Sequence, residues 1–327
     1  MAVMNIDHPD IEEFIDCKRS EGEISEYNIS VGISDLFMKA VENDENWELK
    51  FDNKIYKTLK AKDLFRKISH NAWADGGGGE PGFIFLNTAK KTWPFSSEEP
   101  DTTNPCGEQF LGYYEACDLG AINLYSFIKK NHDGEYYFDY KEFEWVIKIA
   151  IRFLDNVLDL NNYPLKYRNE ICRKISMRHR RIGLGIMGLA DALMKLEIGY
   201  DSDKAINWIE QTFSKFHEYA NEASFALGSE KGPFIDHQDA LDIFKGRRNC
   251  ATTTIAPTGT TSMIASVWGG CEPFFGLVTK KKTTDGSGHI YYMVSETFKE
   301  LCNKYEIELT NERLTEIYEN KGSVKNL

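Results

Sequence analysis

Asn104-Pro105-Cys106-Gly107-Glu108-Gln109 is the stretch on which the reading of this chain turns. A second thiol follows eleven residues after Cys106, in Ala116-Cys117-Asp118-Leu119-Gly120-Ala121-Ile122-Asn123-Leu124. In an extended segment, residues i, i+2 and i+4 face one side. Asn104, Cys106 and Glu108 are therefore expected to share a pocket: an amide, a thiol that hands over a proton or hydrogen atom, and a base. The apolar run after Cys117 reads as a buried strand leading away from that loop. A free cysteine on its own is ordinarily an inert buried thiol. Cys106 departs from that reading because a carboxamide and a carboxylate stand two residues to either side.

Working outward, short apolar runs alternate with longer amphipathic ones. Ala2 to Ile6 reads as a strand, and Asp10 to Ile15 as a helix start with a capping box. Asn28 to Ile33 is a second strand, after which Ser34 caps a helix through Val41. Leu64, Phe65, Ile68 and Ala72 mark another helix, stopped by Gly76-Gly77-Gly78-Gly79, and Gly82 to Leu86 is a third strand. Phe143, Val146, Ile147, Ala150, Ile151, Leu154 and Leu158 have helical spacing from about Tyr140 to Asn161. A second long helix is expected from Ser202 to Leu227, with Ile206, Ile209, Phe213, Phe216 and Ala220 on one stripe and Gly228 as its stop. Thr252 to Ala256 is β-branched and strand-like, and Val294, Phe298, Leu301 and Tyr305 mark a last helix. This alternation indicates an α/β fold. With no repeat or linker in view, residues 1–327 are expected to form a single domain.

Composition narrows the function. The chain has 327 residues, 42% apolar, with 20 Phe, 16 Tyr and 6 Trp, enough to bury a large core. A net charge of -12 argues against a general nucleic-acid or anionic-membrane binder. No apolar run approaches the roughly 20 residues of a membrane span, and Met1 to Ile6 lacks the basic start of a signal peptide. Seven cysteines without framework spacing fit a reducing, cytoplasmic setting. The seven histidines show no ligand spacing, so no protein-bound metal is expected.

The block from Asn104 to Leu124 resembles the finger loop of ribonucleotide reductase catalytic subunits, in pattern most nearly the adenosylcobalamin-dependent class II. Four further segments agree in order: Val3 to Ile15, Asn28 to Ile33, Arg181 to Leu193, and Ala256-Pro257-Thr258-Gly259-Thr260-Thr261-Ser262. The resemblance implies part of a ten-stranded α/β barrel with a central finger loop, the N- and C-terminal barrel elements missing. It implies reduction of ribonucleotides, as diphosphates or triphosphates, to 2′-deoxyribonucleotides by thiyl-radical chemistry. Cys106 would be the thiyl site, Glu108 the base for the 3′-OH, with burial tuning its carboxyl toward neutrality, and Asn104 the holder of the substrate hydroxyls. Cys117 would be one half of a reducing dithiol whose partner is not in this chain. The implied partners are a ribonucleotide substrate, an allosteric nucleotide, a complementary reductase fragment and an external dithiol reductant. The implied cofactor is adenosylcobalamin. In a class I large-subunit segment, the radical would instead come from a separate metal-containing small subunit. An inactive nucleotide-binding fragment is the third reading.

Pro257, Thr258, Gly259, Thr260 and Thr261 follow a strand and precede a small-residue helical run, where backbone N–H groups and hydroxyls can cradle a phosphate. Composition alone makes this an ordinary capped turn; the resemblance makes it the substrate phosphate site. Gly183-Leu184-Gly185-Ile186-Met187-Gly188 matches a dinucleotide fingerprint only weakly, because no strong strand precedes it. Close packing of a strand and helix explains these glycines better. Gly76 to Gly79 lacks the Gly-Lys-Ser/Thr of a P-loop. Lys18 to Glu23, the place of the family's effector-to-substrate loop, reads by default as a solvated charged turn. So do Arg178, Arg180 and Arg181, and Lys280-Lys281-Lys282 reads as part of an exposed hairpin tip. His8 and His179 are expected to be structural.

Overall fold

The computed structural model describes residues 1–19, 24, 26–73, 79–116, 118–163, 169–282 and 290–327. Two compact units arise from interleaved segments. The first comprises Met1–Cys117, Pro164–Ser176 and Asp236–Lys245, and the second Asp118–Tyr163, Met177–Ile235 and Gly246–Leu327.

Along the first unit run β1 (Ala2–Asn5), α1 (Ile11–Asp16), β2 (Ile29–Ile33), α2 (Asp35–Glu42), β3 (Asn46–Phe51), β4 (Lys54–Lys60), α3 (Ala61–Trp73), β5 (Gly82–Phe85), α4 (Leu86–Thr92), β6 (Thr102–Thr103) and β7 (Phe110–Leu111). β2 is flanked in parallel by β1, with Ala2 opposite Ile29, and by β5, with Ser30 opposite Gly82. Paired on both edges, it is buried along its whole length. Ser34 Oγ accepts the Phe37 N–H at 3.2 Å and so starts α2, as its residue type predicts. α1 starts at Asp10 without a side-chain cap, contrary to the expected capping box. Ile11, Ile15, Val31, Ile33, Phe37, Leu64 and Ile68 form the core between sheet and helices. Each such buried side chain contributes about 1.5–3 kcal/mol.

The second unit contains β8 (Leu119–Asn123), β9 (Ile128–Lys130), β10 (Tyr136–Phe138), α5 (Tyr140–Leu160), the end of α6 (Asn169–His179), β11 (Gly183–Met187), α7 (Leu189–Lys195), α8 (Asp203–Lys231), α9 (Gly259–Ile264), β12 (Val278–Lys282), β13 (Ile290–Val294), α10 (Glu296–Lys304) and α11 (Asn311–Glu319). β11 pairs in parallel with β8, Gly183 opposite Leu119, and Thr253 bridges Leu184 in parallel. Phe143, Ile147, Ile151, Leu154 and Leu158 of α5 share one core with Phe216, Ala220 and Leu227 of α8 and with Leu184 and Ile186 of β11.

Three local expectations are corrected. α8 does not stop at Gly228 but continues to Lys231. A Cβ at position 228 would stand 2.1 Å from the Gly246 carbonyl, so this glycine permits a close approach. Arg180 and Arg181 are buried rather than solvated. Arg180 Nε donates to Asp155 Oδ1 at 2.7 Å and its Nη1 to Asp159 at 2.9 Å. Burial opposes the charge on Asp155, but Arg180 and then Arg248 outweigh it and leave the pKa below the usual carboxylate value. Finally, Lys280 to Lys282 belong to strand β12, antiparallel to β13, rather than to a hairpin tip; the connecting residues 283–289 lie outside the described ones.

The α/β class expected from the alternation is the class observed. Among the described residues no sheet closes on itself, and no helix is long and apolar enough to cross a membrane.

Candidate functional site

The candidate residues divide between the units: Asn104 to Gln109 in the first, Pro257 to Thr261 in the second. Cys117, Gly76 to Gly78 and Ser20 to Glu23 lie outside the described residues.

Residues 104–109 form the tip of a hairpin whose two-residue strands pair Thr102 with Leu111 and Thr103 with Phe110. Asn104 N–H donates to the Gln109 carbonyl at 3.2 Å, and Gly107 N–H to the Asn104 carbonyl at 3.0 Å. The segment is thus a tight turn, not the extended run expected from the sequence. Pro105 supplies the fixed φ that the second position of a turn favours, and Gly107 supplies a left-handed φ of +82°. The alternation argument for a common face of Asn104, Cys106 and Glu108 therefore fails. Asn104 Oδ1 accepts the Gln109 N–H at 3.1 Å, so this carboxamide first shapes the hairpin and keeps its nitrogen as the donor for a ligand.

The turn nevertheless brings the thiol and the carboxylate into electrostatic contact. Partial burial first, and then the charge of Glu108, push the Cys106 pKa above the ordinary thiol value. At neutral pH Cys106 is an S–H group and not the thiolate a nucleophile requires. Its side chain is exposed rather than sheltered. It lines, with Pro105, Gly107 and Phe110, a cavity of about 520 Å³ within the first unit. Ser30, Phe83 and Thr88 contribute to its other walls. The volume falls within the usual range of small-ligand sites, about 300–1,000 Å³. Its mixed lining, with Phe83 against hydroxyl-bearing neighbours, fits a nucleoside-sized group.

In the second unit, the loop from Ala256 leads into the short helix α9. Thr258 stands before it with φ +51° and makes no side-chain cap bond. Its Oγ1 accepts the Gly270 N–H at 2.8 Å. The first amides of a helix have no intrahelical acceptor, and Gly259, Thr260 and Thr261 present theirs at exposed positions. This is the donor set an anion requires. The Gly183 to Gly188 run is strand β11 itself and its exit into α7, not a loop between strand and helix.

Sequence reasoning missed Asp191, 1% exposed, which accepts the Trp268 N–H at 2.6 Å and the Thr297 hydroxyl at 2.6 Å. Its signal was present: one acid within the apolar run Leu189-Ala190-Asp191-Ala192-Leu193. Asp118, beside Cys117 in sequence, was also passed over; burial raises its pKa to about 6.

The family profile "ribonucleotide reductase, barrel domain" matches residues 1–241 and 240–327. The chain is 36% identical to a vitamin B12-dependent ribonucleoside-diphosphate reductase of Thermoplasma acidophilum over 333 residues, covering 100% of this chain and 41% of that protein. A reductase of the same name from Mycobacterium tuberculosis is 39% identical over 282 residues, 85% of this chain and 39% of its own length. A ribonucleoside-diphosphate reductase subunit alpha of Chlamydia muridarum is 27% identical over 360 residues, 85% of this chain and 33% of its own. The chain spans about two fifths of the length of the first two of these relatives.

Proposed function

The chain belongs to the ribonucleotide reductase family, as part of its barrel domain, and from that premise we propose that it supplies the hydrogen-atom-transferring thiol and the phosphate loop of a ribonucleotide reductase. The observation that carries this reading is Cys106: an S–H group on a hairpin tip, facing a nucleoside-sized cavity and close enough to Glu108 to feel its charge. We read the parallel sheets of the two units as arcs of the family's ten-stranded barrel and the hairpin as its finger.

The chemistry asks little of each residue. Direct loss of a ribose 2′-hydroxyl is difficult, but a radical at C3′ makes the neighbouring C–O bond labile. The sulfur of Cys106 takes the hydrogen atom from C3′, breaking C–H and forming S–H, and returns it after the 2′-oxygen has left as water. S–H and C–H bonds are of similar strength, so the step is nearly reversible. Glu108 accepts the 3′-OH proton while C3′ carries the radical. Asn104 orients the substrate hydroxyls through its remaining amide donors. Two electrons and the protons for water come from a dithiol of which Cys117 is one half, its partner lying in the complementary polypeptide. The exposed amides of Gly259 to Thr261 hold the substrate phosphates. Adenosylcobalamin, when bound, supplies the one-electron chemistry that converts the Cys106 S–H to a sulfur radical; the cavity wall around Phe83 is the surface against which an adenosyl group would lie.

The test is to combine the chain with candidate flanking fragments, a dithiol and each ribonucleotide, and to assay deoxynucleotide formation with and without adenosylcobalamin. Product is expected only with both complement and cofactor. Cofactor-independent product would exclude the class II reading, and turnover by the chain alone would exclude the need for a complement.

A further inference from the structure

Thr258 is a β-branched residue in the left-handed region, φ +51°. Such residues adopt this conformation only when their surroundings impose it. What imposes it here is the segment 268–270. Gly270 N–H donates to Thr258 Oγ1 at 2.8 Å. Gly269 lies so close to the loop that a Cβ there would stand 2.7 Å from the Pro257 carbonyl. The segment is in turn gripped at both ends of the Trp268 peptide. The Gly188 N–H donates to its carbonyl at 2.8 Å, and its own N–H donates to Asp191 Oδ2 at 2.6 Å. The second oxygen, Oδ1, accepts the Thr297 hydroxyl from the first turn of α10 at 2.6 Å.

A carboxylate this deeply buried is costly unless its hydrogen bonds demand it. Here two donors converge on Asp191, and only a carboxylate accepts both; an asparagine would turn its NH₂ against one of them. We propose that Asp191 is a positioning residue for the phosphate loop, with Thr297 as the hydroxyl that orients it. Together they fix the 268–270 strap, which holds Thr258 in its strained conformation and turns the Gly259 to Thr261 amides outward. This inference rests on the reading of that loop as the phosphate site.

The test uses the full chain, inorganic pyrophosphate as probe, and the variants Thr297→Val, Thr297→Ser and Asp191→Asn. Thr297→Val keeps the shape of the side chain and removes the hydroxyl; Thr297→Ser restores it. Pyrophosphate affinity is expected to fall on the order of tenfold in Thr297→Val and Asp191→Asn, from loss of a charge-assisted bond, and to stay at the unmodified value in Thr297→Ser. Hydrogen exchange should quicken within 256–270 and not in α5 or α8. Unchanged affinity in Thr297→Val overturns the proposal even if Asp191→Asn fails to fold, as does faster exchange spread evenly through the second unit. If the unmodified chain binds no pyrophosphate, the phosphate reading fails first and this inference falls with it.

Discussion

The finger hairpin and the phosphate loop are built to opposite specifications. The hairpin tip is short and exposed, and the bonds described for it are local: Asn104 with Gln109, and Gly107 with Asn104. The phosphate loop is over-determined, with a strained threonine held by a strap that a buried carboxylate anchors from 77 residues away in sequence. The comparison suggests a division of labour. A group that exchanges a hydrogen atom must be reachable, and its reactivity comes from the S–H itself and the adjacent carboxylate. A group that binds an anion through backbone amides has no reactive atom; its whole contribution is direction, and direction has to be enforced from behind.

Two glycines put that contrast to the sharpest test. Both have left-handed φ, +46° at Gly270 and +82° at Gly107. A Cβ at 270 would meet Glu272 Oε2 at 2.4 Å and the Ala256 carbonyl at 3.0 Å, while one at 107 meets nothing within 4 Å. Gly270→Ala should therefore cost about 2–4 kcal/mol in chemical denaturation, strain plus overpacking. Gly107→Ala should cost only about 1 kcal/mol, the left-handed penalty alone. Equal losses at the two sites would remove the distinction.

Asp118 predicts a pH signature of intermediate size. Its pKa is about 6 in the folded chain because of burial, against about 3.9 unfolded. Between those values the folded state binds more protons, so stability declines as pH rises from about 4 to about 6 and stays at the lower level above. Asp118→Asn should remove that slope and stabilise the chain at pH 7 by on the order of 1–3 kcal/mol. A pH–stability curve identical in the two proteins would mean that the carboxyl is hydrated after all.

The smallest expected effect concerns the hairpin alone. Glu108→Gln removes the negative charge that contributes to the raised Cys106 pKa. The pH midpoint of thiol alkylation should move down toward the ordinary thiol value and stay somewhat above it, because burial is the larger cause. No shift would mean that the two side chains do not face one another in solution.

Much of this architecture was legible because it is local. Ser34 as a cap, the apolar spacing of α5 and the β-branched run at Thr252 to Thr254 each report on residues a few positions away. The finger was found by residue type but its shape was misread: an i, i+2 pattern presumes an extended chain, and Pro105 with Gly107 folds it back. Gly228 was misread because its neighbour, Gly246, is distant in sequence. Arg180 resembled a solvated basic turn until Asp155, 25 residues earlier, was seen to hold it. Asp191 escaped for the same reason: both its donors come from beyond the next long helix, α8, and its charge is explained only by where they meet.

The central claim is that Cys106 sulfur exchanges a hydrogen atom with C3′ of a ribonucleotide. The most direct measurement compares reduction of a 3′-deuterated ribonucleotide with that of the unlabelled one, in the complemented, cofactor-loaded protein and in its Cys106→Ser variant. The account predicts slower turnover of the deuterated substrate by the unmodified protein, and no deoxynucleotide from the variant although it folds and binds pyrophosphate as before. Deoxynucleotide formed at an undiminished rate by Cys106→Ser would contradict it.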